Sequence, residues 1–112
     1  MPEMHFTVEW PDGERQRCYS PSYIVEEYVA AGASYDADEF VRRMGVALEI
    51  ASERVRARYG YACSSALDQL AALREKLASL SPETRAGQVR VLELEKHPPR
   101  DARKQPAPKE EG

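Results

Sequence analysis

The sequence predicts an α+β fold of two layers, in which a small sheet packs against helices. Three observations carry this prediction: strict alternation of apolar and polar residues at 5–10, a long helical stripe at 36–59, and a second alternating segment at 89–95. We expect an N-terminal β-hairpin and the C-terminal strand to share one sheet. An antiparallel helical hairpin and a short extra helix would cover it.

The N-terminal hairpin is predicted from alternation and turn chemistry. Residues 5–10 place Phe6 on the same face as the other apolar side chains of the segment. Proline, aspartate and glycine at 11–13 favour a tight turn, because proline presets φ and glycine accepts a positive φ. The chain then returns over 15–20. A three-residue loop would pair Phe6 with Cys18 and place Cys18 on the core face.

A short helix is expected at 21–29, with Ser20 as its N-cap and proline at the first helical position. The long helix is expected to follow from Asp36, where Glu39 completes a capping-box pattern, although Ser34 is a rival cap. Gly60 stands at its C′ position. Glu39 and Arg43 form an i, i+4 pair. The main apolar stripe of the long helix consists of Phe40, Val41, Met44, Ala47, Leu48, Ala51, Val55 and Tyr59.

The second helix of the hairpin is predicted to start at Ser64 or Ser65 and to be stopped by Ser81 and Pro82. Its stripe is Ala66, Leu70, Leu73, Leu77 and Leu80.

The last strand, 89–95, contains a conflict of parity. Leu92 and Leu94 are assigned to the core face, but Val89 and Val91 alternate with them. A β-bulge near Val91 would resolve the conflict.

The chain has 112 residues and a mass of 12.6 kDa, which indicates one domain. Residues 96–112 contain four of the eight prolines and no large apolar side chain, so we interpret them as a disordered tail. That tail has five basic and three acidic residues, a net charge of +2. The whole chain carries −3, which leaves −5 for the domain at 1–95. Such an acidic body argues against nucleic-acid binding.

Location is predicted from what the sequence lacks. No apolar run is long enough to span a membrane, and the N-terminus has no basic region followed by an apolar stretch. Two cysteines do not make a disulfide framework. We therefore expect a cytoplasmic protein without a membrane partner.

Cys63 is the one candidate catalytic residue, since it precedes a predicted helix whose N-terminus would stabilise a thiolate. The alternative is a small apolar residue packed where the helix starts, because no acid or base partner is placed beside it. The same turn offers a ligand pocket, whose candidate residues are Tyr61, Cys63, Ser64, Ser65, Arg54 and Arg58. No metal site is predicted: His5, Cys18 and Cys63 lack ligand spacing, and His97 is assigned to a solvated tail. No cofactor is predicted either.

The long helix also carries a second apolar strip beside its main stripe. This strip contains Val46 and Ile50, and it is bordered by Arg43 and Arg54. The helix is either sandwiched between the sheet and a neighbouring element or presents a face for a partner, such as a twofold-related copy. The partner-interface candidates are therefore Val46, Ile50, Arg43 and Arg54. All six tyrosines lie between residues 19 and 61, and tyrosine is favoured at interfaces and pocket rims as well as at core edges.

Three separated motifs carry a family resemblance. They are the opening MHFTVEWPDG at 4–13, the segment CYSPS at 18–22, and ASERVRARYGYACSSALDQL at 51–70. Together they resemble the small nitrogen-starvation-response protein family of mycobacteria and other bacteria. Its members are encoded beside a nitrilase, a radical SAM enzyme, an acetyltransferase and a flavin-dependent oxidoreductase. The resemblance implies a setting in nitrile or cyanide nitrogen assimilation, and it transfers no catalytic residue.

The leading hypothesis is a non-catalytic accessory protein of that pathway, which binds itself or a pathway enzyme. One alternative is a small-molecule binder with its pocket at the turn 59–65. Another is a small enzyme that uses Cys63 as its nucleophile.

Overall fold

A computed structural model describes residues 3–61 and 64–98. It contains a four-stranded antiparallel sheet in the order β2-β1-β4-β3, so the predicted α+β class is confirmed. The strands are β1 (Glu3–Glu9), β2 (Arg15–Ser20), β3 (Ser34–Asp36) and β4 (Gln88–His97), and the helices are α1 (Ala37–Tyr59), α2 (Ser64–Ser79) and α3 (Pro82–Arg85). A 3₁₀ helix, Tyr23–Glu27, connects β2 to the segment before β3.

The β1–β2 hairpin has the predicted register. Phe6 pairs with Cys18, and the N–H of Trp10 donates to the carbonyl of Glu14 at 2.8 Å across the turn. Gly13 has a φ of 90°, which an L side chain rarely adopts. Phe6 and Cys18 are both buried, so the core face of the hairpin is the one that its alternation predicted.

The last strand runs antiparallel to β1, and its register shifts between Thr7 and Val8. Thr7 pairs with Glu93 while Val8 pairs with Val91, which leaves Leu92 as the extra residue of a bulge. The expected bulge is therefore confirmed, and Leu92 is half-buried. Leu94 does pack against the core.

Helix α1 begins and ends as predicted, with Asp36 at the N-cap position and Gly60 closing it at a φ of 81°. The Asp36 side chain makes no capping hydrogen bond, and its Oδ1 accepts from Gln88 Nε2 at 3.4 Å instead. Glu39 accepts from Arg42 and Arg43 instead of completing a capping box.

Two local predictions need correction. Ser20 stays in β2, and the cap is Ser22, whose Oγ accepts the N–H of Ile24 at 3.2 Å. The helix expected at 21–29 is therefore the shorter 3₁₀ helix.

Helix α2 ends at Ser79, before Ser81 and Pro82, as expected. Pro82 is also the first residue of α3, for which Ser81 is the N-cap.

The core lies between the sheet and the two long helices. Helix α1 contributes its predicted stripe from Phe40 to Val55, and α2 contributes Ala66, Leu70, Leu73 and Leu77. Trp10 is buried beneath α1, with its ring edge-on to Phe40 at 5.9 Å between centroids. Tyr59 is 47% exposed rather than buried, because the whole last turn of α1 projects into solvent. Neither α1 nor any other described helix is both long and apolar enough to cross a membrane.

Candidate functional site

One candidate site is the solvent-facing side of α1. We call it the α1 outer face, and it is a shallow groove lined by Val46, Glu49, Ile50, Glu53, Arg54 and Ala57. Val46 is 39% exposed, although it lies in the middle of a long helix. Ile50 is half-buried and packs against the edge of the core. The second strip is thus open to solvent, and the alternative in which a neighbouring element sandwiches it was wrong.

The spacing on the α1 outer face is that of a helix-pairing seam. Val46, Ile50, residue 53 and Ala57 follow one another at intervals of four, three and four, as the central positions of a heptad do. Glu49 flanks this seam on one side and Arg54 flanks it on the other. Opposite charges on opposite flanks are self-complementary when two such helices lie side by side in parallel.

Glu53 is the one charged residue within the seam. Its carboxylate lies 3.2 Å from Arg56 Nε one turn later in the helix, so an ion pair with a neighbour offsets its charge.

The two arginines predicted to border the interface have different surroundings. Arg43 donates to the Tyr28 carbonyl at 2.8 Å and to Glu39, and its guanidinium lies over the Tyr35 ring. It therefore ties α1 to the segment before it. Arg54 donates to Ser22 Oγ at 2.8 Å but also lines the α1 outer face. Of the two, Arg54 is the one that lines the α1 outer face.

The turn after α1 is only partly described. Cys63, the catalytic candidate, lies outside the described residues. Tyr61 is 65% exposed, and its ring is tilted against Tyr59 at 6.1 Å between centroids. Arg58 lies over the Tyr59 ring at 5.9 Å.

The remaining ligand candidates are Arg54, Ser64 and Ser65. Arg54 donates to Ser22 Oγ, at the N-cap of the 3₁₀ helix. Ser64 is exposed and Ser65 is half-buried at the start of α2. The ligand pocket proposed for this turn stays a prediction.

Cys18 is a core residue. It is 1% exposed, and burial raises the pKa of its thiol to about 12. A thiol with such a pKa stays protonated at neutral pH and is a poor nucleophile or metal ligand.

A second candidate site lies on the sheet face that points away from the helices. We call it the open sheet face. His5 is paired with Glu95 across β1 and β4, and His97 follows two residues later on the same face. His5 Nδ1 lies 3.0 Å from His97 Nε2. The assignment of His97 to a solvated tail was wrong, since β4 continues through it.

The end of β4 is held in place by the 3₁₀ helix. The Tyr23 hydroxyl donates to the His97 carbonyl at 2.7 Å. Lys96 forms an ion pair with Glu26 at 3.1 Å. These contacts extend the ordered strand two residues past the predicted end of the domain.

Arg17 supplies a positive charge beside this cluster on the open sheet face. Its Nη2 donates to Glu95 Oε1 at 2.9 Å, and this bond lowers the pKa of the Glu95 carboxyl. Burial lowers the pKa of His5, and the positive charge of Arg17 adds to that effect. The cluster thus combines an ionised carboxylate with an imidazole that favours its neutral form.

The sequence did contain a signal for this cluster. Glu95 and His97 are separated by one residue, which places both on one face of any strand that includes them. The signal was missed because the strand was expected to end at residue 95.

Comparison with known families settles the relationship that the motifs indicated. The sequence model of the family described as "Nitrogen starvation-induced protein NitG" matches residues 5–94. The chain belongs to this NitG family. The match covers most of β4 but ends before Glu95 and His97. Comparisons with curated proteins and with solved structures found no match.

NitG membership supports the nitrogen-starvation setting that the resemblance implied. The family description concerns induction under nitrogen starvation and assigns no residue a role. The functional argument therefore depends on the two surfaces.

Proposed function

We propose that this protein is a non-catalytic, cytoplasmic accessory protein of the nitrogen-starvation response, and that it pairs with a second copy of itself through the α1 outer face. The pathway we propose is nitrile or cyanide nitrogen assimilation, as the gene neighbourhood of similar proteins implies. The observation that carries the pairing is the combination of an exposed heptad-spaced seam with opposite charges on its two flanks.

The charges favour a parallel arrangement about a twofold axis. In a parallel helix pair, a residue on one flank meets the residue five positions later on the opposite flank of the partner. Glu49 and Arg54 are five positions apart and lie on opposite flanks. The twofold axis repeats the contact, so a dimer would form two Glu49–Arg54 pairs around a seam of Val46, Ile50 and Ala57.

The small size of the surface favours a weak interaction. A standard interface buries about 800 Å² on each partner, and the middle of one helix presents less than that. Glu53 would also approach its own copy across the seam. We therefore expect a dimer that dissociates on dilution, with a dissociation constant on the order of micromolar.

The test compares Val46→Asp with Leu67→Asp by analytical ultracentrifugation over a dilution series. Both side chains are exposed apolar residues on helices, 39% and 43% exposed, but Leu67 is on α2, outside the seam. Val46→Asp should weaken self-association by tenfold or more, since it places a charge in the seam. Leu67→Asp should leave it unchanged.

Association with enzymes of the kinds encoded beside similar proteins is the second arm of the same test. The wild-type chain and both variants would be co-purified with each of those enzymes. A wild-type chain that is monomeric at every concentration and binds none of them would contradict the proposed function. The wild-type chain could instead stay monomeric and bind a pathway enzyme, with Val46→Asp abolishing that binding. This outcome would support the accessory role, with the enzyme rather than a second copy as the partner.

A further inference from the structure

We propose that His5, Glu95 and His97 form a binding site for a divalent transition-metal ion, with zinc the best match, on the open sheet face. One ligand atom from each residue lies within 4.8 Å of the others. This site is separate from the α1 outer face, which lies on the other side of the molecule's core. Neither surface depends on the other for its chemistry.

The two imidazoles already have nearly the separation that a shared ion requires. Two nitrogens bound to one tetrahedral zinc at about 2.0–2.1 Å are roughly 3.3 Å apart. His5 Nδ1 and His97 Nε2 are 3.0 Å apart. The separation needs to change by only a few tenths of an ångström, but both rings must also turn so that their lone pairs point at the ion and the shared proton must leave.

The backbone positions the third ligand. Glu95 lies directly opposite His5 in the β1–β4 register, and cross-strand partners have Cβ atoms about 4.5–5.5 Å apart. Its carboxylate must rotate toward the two nitrogens to complete the set. Arg17 donates to Oε1, and a ligating carboxylate is commonly fixed by such an outer hydrogen bond to one oxygen.

The ligands belong to a built part of the fold rather than to a loose terminus. His5 is in the central strand β1, between β2 and β4. The end of β4 is fixed by Tyr23 and by the Lys96–Glu26 ion pair. The site therefore does not require the chain to be ordered by the ion.

Space remains for a further ligand. A surface cavity of about 310 Å³ lies beside the cluster and is lined by Glu3, His5, Arg17, His97 and Pro98. Glu3 lines this cavity, so its carboxylate or a water molecule is a candidate for the fourth position. Imidazole and carboxylate donors suit zinc and its neighbours rather than magnesium or calcium, which prefer oxygen alone.

The competing interpretation is that the histidines only hydrogen-bond to each other. A single proton shared between the two ring nitrogens would be enough to form that hydrogen bond. It predicts no measurable affinity for metal ions, so a titration separates the two interpretations.

The test is calorimetric titration of the full chain with Zn²⁺. We expect one ion per chain, and we expect His97→Gln and Glu95→Gln each to weaken binding at least tenfold. Glu93→Gln is the matched control, because Glu93 is on the same strand and face, loses the same charge and lies outside the cluster. It should bind as the wild type does. His5→Gln should also lose binding, with circular dichroism to confirm that it folds.

Co²⁺ absorption identifies the donor atoms. A tetrahedral spectrum without a thiolate charge-transfer band, lost in His97→Gln, would support the site. A thiolate band would place the ion on a cysteine and overturn the proposal. The absence of Zn²⁺ binding would also overturn the proposal. So would Zn²⁺ binding that both His97→Gln and Glu95→Gln retain, and this outcome does not depend on whether His5→Gln folds.

Discussion

The α1 outer face and the open sheet face are both exposed, but they have opposite chemistry. The first is an apolar seam interrupted by Glu53, in which Val46 and Ile50 are flanked by one acid and one base. The second is polar, and it gathers two imidazoles and a carboxylate beside Arg17. An apolar seam is suited to another protein surface, whereas a cluster of nitrogen and oxygen donors is suited to an ion.

The two faces also differ in how sequence reveals them. A helix face is determined by spacing within one segment, so the helical period alone places Val46 and Ile50 together. The open sheet face joins residues 92 positions apart, His5 and His97, and needs the order and register of two strands. Function on a sheet is therefore harder to recognise from a single sequence than function on a helix.

The largest effect that would sharpen this comparison is expected from Glu53→Leu. This substitution removes like charges from the middle of the proposed seam and supplies an apolar side chain at a heptad position. Self-association should strengthen about tenfold, which corresponds to ~1.4 kcal/mol. Sedimentation equilibrium over the same dilution series measures it.

Glu93→Leu is the control for that substitution, because it makes the same exchange on the open sheet face. It should leave self-association at the wild-type level. Equal strengthening by both substitutions would mean that added apolar surface, rather than the seam, causes association.

A smaller effect is expected at the start of α1, which supports the seam without belonging to it. Hydrogen bonds from Arg42 and then Arg43 lower the pKa of the Glu39 carboxyl from 4.5 to about 2. A carboxyl with a depressed pKa in the folded state stabilises the fold above pH 4.5, and this contribution is lost as the pH falls toward 2. Glu39→Gln should therefore flatten the pH dependence of the urea midpoint between pH 4.5 and 2.

The effect at Glu39 should be small, because the pair is exposed to solvent and screened by salt. Self-association at pH 7 should not change. A Glu39→Gln variant with the wild-type slope across that acid range would show that the ion pair does not contribute to stability.

Much of the fold was predictable because local rules determined it. The three-residue turn fixed the pairing of Phe6 with Cys18, and the apolar period together with Gly60 fixed the span of α1. The parity conflict around Val91 indicated the bulge, because a strand cannot change faces without an extra residue.

The features that were missed depend on tertiary contacts. β3 has three residues, too few to show a period, and it exists because Ser34–Asp36 pairs with β4. Ser20 had the sequence of an N-cap but is kept in β2 by the β1 ladder, so Ser22 takes the role. The end of β4 is fixed by Tyr23, which is 74 residues away along the chain.

Charge exchange between Glu49 and Arg54 tests the central proposal of self-association most directly. Glu49→Arg and Arg54→Glu should each weaken the dimer, because each places like charges across the seam. The double variant restores opposite charges on opposite flanks, so it should dimerise more strongly than either single variant, when all four chains are compared by analytical ultracentrifugation at low salt. Pairing through the α1 outer face would be contradicted if the double variant lost the sum of the two single variants' losses in dimerisation free energy. It would also be contradicted if the single variants dimerised like the wild type.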